Sequence, residues 1–139
     1  KLSTPASIMM ANIADVPLVA VDGHPLSSQF RLLMGDTTST RDKIATGHLM
    51  ISLFVMEFQP NGTNFPHHHP LQEEIYLVIE GDGEIVAGGG TNGIEQRFPA
   101  KAGDAYYYRP NTTVGFYSSA RTGRPARILA VRNNLPPSR

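Results

Sequence analysis

Short apolar runs broken by turn-forming residues fill this chain, and none of them carries a helical period. HLMISLFVMEF, residues 48–58, is the longest candidate strand and is rich in β-branched and aromatic side chains. QPNGTNFP breaks it, and EEIYLVIEG at 73–81 predicts the next strand. GDGEIVAGGGTNGIEQRF reads as two short strands around a glycine-rich hairpin turn. AYYYRP, VGFYSS and RPARILAVRNN predict three more, separated by AGD and PNTT turns. Nearer the start, Leu18–Val21 and FRLLMG at 30–35 are strand candidates, and the polar stretch 36–47 reads as a loop.

So many short antiparallel strands must close on themselves or form a double sheet to hide their edges. The expected fold class is all-β: a small antiparallel β-barrel or jelly roll with little helix. One domain spans 1–139, with an N-terminal loop or arm and first strands over 1–45, the barrel over 46–133 and a proline-containing tail over 134–139. Such a fold leaves an interior where inward side chains converge, which suits a ligand or a metal.

Composition removes several alternatives. The length of 139 residues fits one domain with a real core. Twelve basic and twelve acidic residues give a net charge of zero, so no nucleic-acid or anionic-membrane surface is expected. No apolar run approaches the roughly 18 residues of a spanning helix. A soluble protein, cytoplasmic or secreted, is the expectation, and the first residue, Lys1, reads as a processed or trimmed start. Absence of cysteine excludes disulfides and thiolate metal sites.

The chemistry concentrates in NFPHHHPLQEEIYLVIEG, residues 64–81. In an extended segment, residues i and i+2 point to the same side, so His67 and His69 can share one ion while His68 points away. Glu73 and Glu74 alternate likewise, one of them inward with the histidines. Imidazole plus carboxylate suits iron, manganese, cobalt, nickel, copper or zinc. Upstream, His48, Met50, Ser52, Phe54 and Met56 share a face of their strand, and His48 is placed about 13 Å from Ser52, near a pocket mouth. His24, between glycine and proline, reads as a turn residue. Tyr106 and Tyr108 share one face and Tyr107 the other, with periodicity silent on which face is inside. Arg109 reads as an exposed cation or one at a pocket mouth.

GTNFPHHHPLQEEIYLVIEG resembles the first motif of the cupin superfamily: glycine, a short gap, His-x-His, three or four residues, Glu, six residues, Gly. The positions are Gly62, His67, His69, Glu74 and Gly81, and Glu74 is chosen over Glu73 because it keeps the six-residue gap. GDAYYYRPNTTVGFYSS resembles the second motif through Gly103, Asp104, Pro110 and Gly115-Phe116. It departs from that motif at Val114, in the place of a metal-binding histidine, and at Ser118, in the place of an asparagine. The two motifs and the strand between them cover residues 62–118.

The resemblance implies one divalent transition metal on His67, His69 and Glu74, iron first, with copper, manganese, nickel or zinc as alternatives. It implies a metal-dependent, dioxygenase-like oxidoreductase acting on a small molecule. Ser52, Phe54, Tyr76, Tyr106, Tyr108, Val114 and Phe116, with His48, are the candidate pocket walls. A non-catalytic cupin that binds a sugar or other small ligand is the competing reading, favoured by Val114. A secreted copper enzyme acting oxidatively on polysaccharide is a third. A homodimer is expected, with the apolar stretch IMMANIADVPLVAV serving either as a dimer arm or as a cover for its own barrel.

Overall fold

The computed structural model describes residues 9–36, 39–41, 43–47, 50–89 and 94–135. These residues form strands β1 (Val19–Ala20), β2 (Ser28–Asp36), β3 (Ala45–Gly47), β4 (Met50–Phe58), β5 (His67–His68) and β6 (Gln72–Glu80). They continue with β7 (Asp82–Gly89), β8 (Ile94–Lys101), β9 (Ala105–Tyr108), β10 (Thr113–Ser118) and β11 (Ala126–Asn134). One sheet has the order β1-β2-β4-β11-β6-β9, with β3 parallel to β2; the other has the order β5-β10-β7-β8. Among the described residues there is no helix, and hence none long and apolar enough to cross a membrane. The architecture is all-β, as the strand pattern predicts.

Alternation decides what the sheets bury. In β6, Glu74, Tyr76 and Val78 point inward and are buried, while Ile75 and Ile79 face out. Inward residues of neighbouring strands then align across the large sheet. Leu32, Phe54, Ala130, Tyr76 and Tyr106 form one row through their cross-strand pairs; Phe30, Met56 and Ile128 begin the next. Phe58 and Phe116 meet edge to face across the two sheets, ring centres 5.0 Å apart, in the middle of the core.

Glycines set two close approaches. Gly81 ends β6 at φ 81°, and a Cβ there would lie 2.9 Å from Ala126 Cα. Gly115 lets Pro66 pack onto β10, since a Cβ would meet Pro66 Cα at 3.0 Å. The segment carrying the histidines is thereby pressed onto the small sheet. Buried Asn64 fastens it further by accepting the Phe116 amide hydrogen at 3.0 Å.

Two details differ from the sequence reading. The polar stretch 36–47 contains β3, which pairs with β2. The tail begins later than expected: Asn134 still pairs with Gln72, and the Leu135 amide donates to Leu71 O at 3.2 Å. The N-terminal segment from Met9 lies against its own barrel. Val16 is buried, its carbonyl accepts from Arg31 at 2.8 Å, and Thr46 Oγ1 donates to Met9 Sδ at 3.7 Å.

Candidate metal centre

A cavity of about 300 Å³ opens at one end of the barrel. His24, Asp36, His67, His69, Glu74, Tyr76 and Arg132 supply its charged and titratable groups near Ser52, and Phe30, Leu32, Phe54 and Met56 form apolar walls. The polar floor is part of a single cross-strand row that continues past the cavity to Tyr108. Gly35 pairs with Ser52, Ser52 with Arg132, Arg132 with Glu74, and Glu74 with Tyr108. Four adjacent strands thus present Ser52, Arg132, Glu74 and Tyr108 side by side on the inner face.

His67 comes from β5, opposite Val114 of β10. Its Nδ1 lies 2.8 Å from the carbonyl oxygen of Phe65. A carbonyl only accepts, so Nδ1 carries the proton and Nε2 keeps its lone pair. His69 follows on the same side, its ring centre 4.9 Å from that of His67, and the Asn111 amide donates to its carbonyl at 2.9 Å. His68 is exposed.

Glu74 is 3% exposed, and its Oε1 has no hydrogen-bond partner although it lies 3.8 Å from His69 Nε2. Burial raises the Glu74 pKa to about 7, against the opposing pull of Arg132 and of the Tyr76 hydroxyl. Burial, then Arg132, lowers the His69 pKa to about 4. Burial lowers the His67 pKa as well. Burial thus favours the uncharged form of both groups, so the two do not form a simple ion pair. They are a pair of donors facing each other across a short gap.

Arg132 Nη1 lies 3.2 Å from Nε2 and 3.5 Å from Nδ1 of His69. A donor on the Nε2 lone-pair axis would be much farther from Nδ1. The guanidinium therefore packs along the ring and leaves that lone pair free. Its own Nε is buried without a partner.

The other expected wall residues divide. Ser52, Phe54 and Tyr76 line the cavity. Tyr108 lies behind it, 5.1 Å from the Tyr76 ring centre, with its hydroxyl buried and unpartnered. Tyr106 also lies off the cavity, its hydroxyl 3.4 Å from Pro99 O and from Asp104 Oδ2. Val114 and Phe116 belong to the closed core and do not line it. Tyr107 is on the outer face, donating to Glu73 at 2.7 Å. His48 lies outside the described residues.

Sequence reasoning missed Arg132 and the pocket position of His24. For Arg132 a signal existed, since it shares the two-residue phase of buried Ile128 and Ala130. Among the described residues, no group of three or more His, Asp or Glu side chains is arranged to hold an ion as it stands.

The family model for the cupin domain matches residues 54–132. No curated protein sequence matches significantly. A predicted oxalate decarboxylase from Thermotoga maritima is 16% identical with a TM-score of 0.68, over 91% of this chain and all of that one. KdgF from Halomonas sp. is 14% identical with a TM-score of 0.66, over 92% and 94%. An oxalate oxidase is 20% identical with a TM-score of 0.66, over 94% of this chain and 64% of that one. At such identities the likeness concerns the fold.

Proposed function

The chain belongs to the cupin family, and from that premise we propose that its pocket is a metal-dependent oxidoreductase site for a small molecule bearing a carboxylate. The orphaned, buried Oε1 of Glu74 beside His69 carries this reading. A buried carboxylate oxygen left without a partner is costly unless something positive meets it. His67 and His69 through their Nε2 atoms, with Glu74, are a two-histidine, one-carboxylate donor set. Atoms bound at about 2.0–2.2 Å to one ion lie up to about 4.2 Å apart. The 3.8 Å between His69 and Glu74 is within that reach, and modest side-chain rotation completes the shell.

A bound divalent ion, iron first and copper, manganese, nickel or zinc after it, supplies Lewis acidity and access to dioxygen. The chain's own groups do the rest. Phe30, Leu32, Phe54 and Met56 exclude bulk water from the cavity. Arg132 anchors the substrate carboxylate, because its guanidinium faces the cavity with Nε unsatisfied. Phe65 holds His67 in the ligating tautomer through its carbonyl. Ser52, also buried without a partner, offers a neutral hydroxyl next to Arg132.

A second reading has its own support. Val114 removes one donor, and a fixed cation already stands at His69, so the pocket could bind a carboxylate with no ion at all. Elemental analysis after loading with Fe(II), Mn(II), Cu(II) or Zn(II) separates the two. Near-stoichiometric metal in the wild type that is lost in His69→Ala supports the metal site. A protein that stays metal-free and still binds small carboxylates supports the binding module.

A further inference from the structure

We infer that His24 is a fourth donor to this same centre, supplying from the N-terminal segment the imidazole that Val114 withholds; the inference rests on the metal reading above. His24 ends the turn in which its amide donates to Val21 O at 3.0 Å, with Gly23 at φ 80°. It lies outside residues 54–132, the part that carries the family pattern. The turn nevertheless delivers the ring to the cavity wall.

Three observations point the same way. The His24 ring centre lies 5.0 Å from that of His67, and the planes are inclined by 60°. The next pair, His67 and His69, repeats the spacing at 4.9 Å with an inclination of 84°. Two imidazoles bound side by side to one ion, with metal–nitrogen bonds of about 2.0–2.1 Å, have ring centres about 4.5–5.2 Å apart. Both pairs fall in that window. Finally, His24 Nδ1 is buried and has no hydrogen-bond partner. Aromatic packing alone accounts for the ring contact but leaves that nitrogen unsatisfied. His24, His67, His69 and Glu74 thus neighbour one another in succession, with Arg132 against the His69 ring.

The experiment uses Co(II) as the probe on the full chain. Wild type, His24→Phe and His69→Ala are titrated by calorimetry, and the number of bound imidazoles is counted by X-ray absorption. Phenylalanine keeps an aromatic ring against His67 and offers no donor. The expected result is roughly tenfold or greater weakening in His24→Phe, with three imidazoles falling to two and the apo melting temperature nearly unchanged. Unaltered affinity and imidazole count in His24→Phe, with binding lost in His69→Ala, overturn this inference alone. A wild type that binds no Co(II) overturns it together with the metal reading. If His24→Phe fails to fold, His24→Gln is measured against the same two outcomes.

Discussion

The carbonyl oxygen of Phe65 lies 2.8 Å from Nδ1 of His67, and Phe65 reaches that position with a left-handed backbone, φ 53°. A bulky residue pays about 1–2 kcal/mol for that conformation, and this residue is 53% exposed. Asparagine tolerates the region far better. Phe65→Asn is therefore expected to raise stability by about 0.5–1 kcal/mol in urea denaturation. The contact to His67 comes from the main chain, so metal affinity should stay at the wild-type level. A loss of stability would show that the Phe65 ring contributes packing beyond what its exposure indicates.

Gly81 tests the turn behind the site. Its φ of 81° and the 2.9 Å approach to Ala126 act together. Gly81→Ala is expected to cost about 2–4 kcal/mol, combining left-handed strain with overpacking. Chemical denaturation of both proteins gives the number directly.

Val114→His addresses the missing donor. Val114 is buried and faces His67 across the β5–β10 pair. A larger, polar ring there should lower apo stability by about 1–3 kcal/mol. It should also tighten metal binding, so added metal raises the melting temperature more in the variant than in the wild type. Equal shifts would mean that position 114 does not reach the ion.

The pH dependence follows from two opposed groups. The Glu74 pKa is raised from 4.5 to about 7 on folding, so its stabilising share is complete below 4.5 and is lost as pH rises towards 7. The His69 pKa is lowered from 6.5 to about 4, so its share is complete above 6.5 and is lost as pH falls towards 4. In the metal-free wild type the Glu74 slope opposes that of His69, to which His67, lowered as well, adds in the same direction. Glu74→Gln removes the Glu74 slope, and its stability is expected to fall by about 2–3 kcal/mol from pH 7 to pH 4. Urea midpoints at both pH values check this. Metal binding at pH 6 should also release close to one proton, from Glu74, and far less at pH 8, as read by calorimetry in buffers of different ionisation enthalpy.

The outer face of the large sheet gives the last expectation. Ile75 and Tyr107 are 44% and 58% exposed, and they adjoin the outward-facing Leu77, Leu129 and Val131 through cross-strand pairs. A contiguous apolar face of this kind suits a second copy of the chain. Light scattering should report a dimer, and Leu129→Lys should shift it to monomer with the fold intact. A monomeric wild type would remove the idea.

Much of this fold was legible because turn residues cut the chain into runs of strand length. HLMISLFVMEF and EEIYLVIEG were placed within two residues of β4 and β6. Alternation also separated His68 from His67 and His69. It could not say which side of AYYY faces inward, because that depends on the register of β9 against β6. That register puts Tyr106 and Tyr108 on the inner side and Tyr107 outside. His24 was illegible for a different reason. Its partner His67 is far along the chain, and no local pattern encodes the path of the turn that brings them together.

Ser52, Arg132, Glu74 and Tyr108 are held by neighbouring strands of one sheet, whereas His24 ends a turn and His67 and His69 sit on and beside a two-residue strand. The two walls of the cavity therefore open by different routes. In hydrogen-exchange terms, the amides of the sheet row should exchange only with global unfolding, and those around the histidines by local opening at far lower free energy. If the site takes an ion and a substrate as proposed, they are expected to enter and leave on the histidine side while the carboxylate and guanidinium wall stays in place.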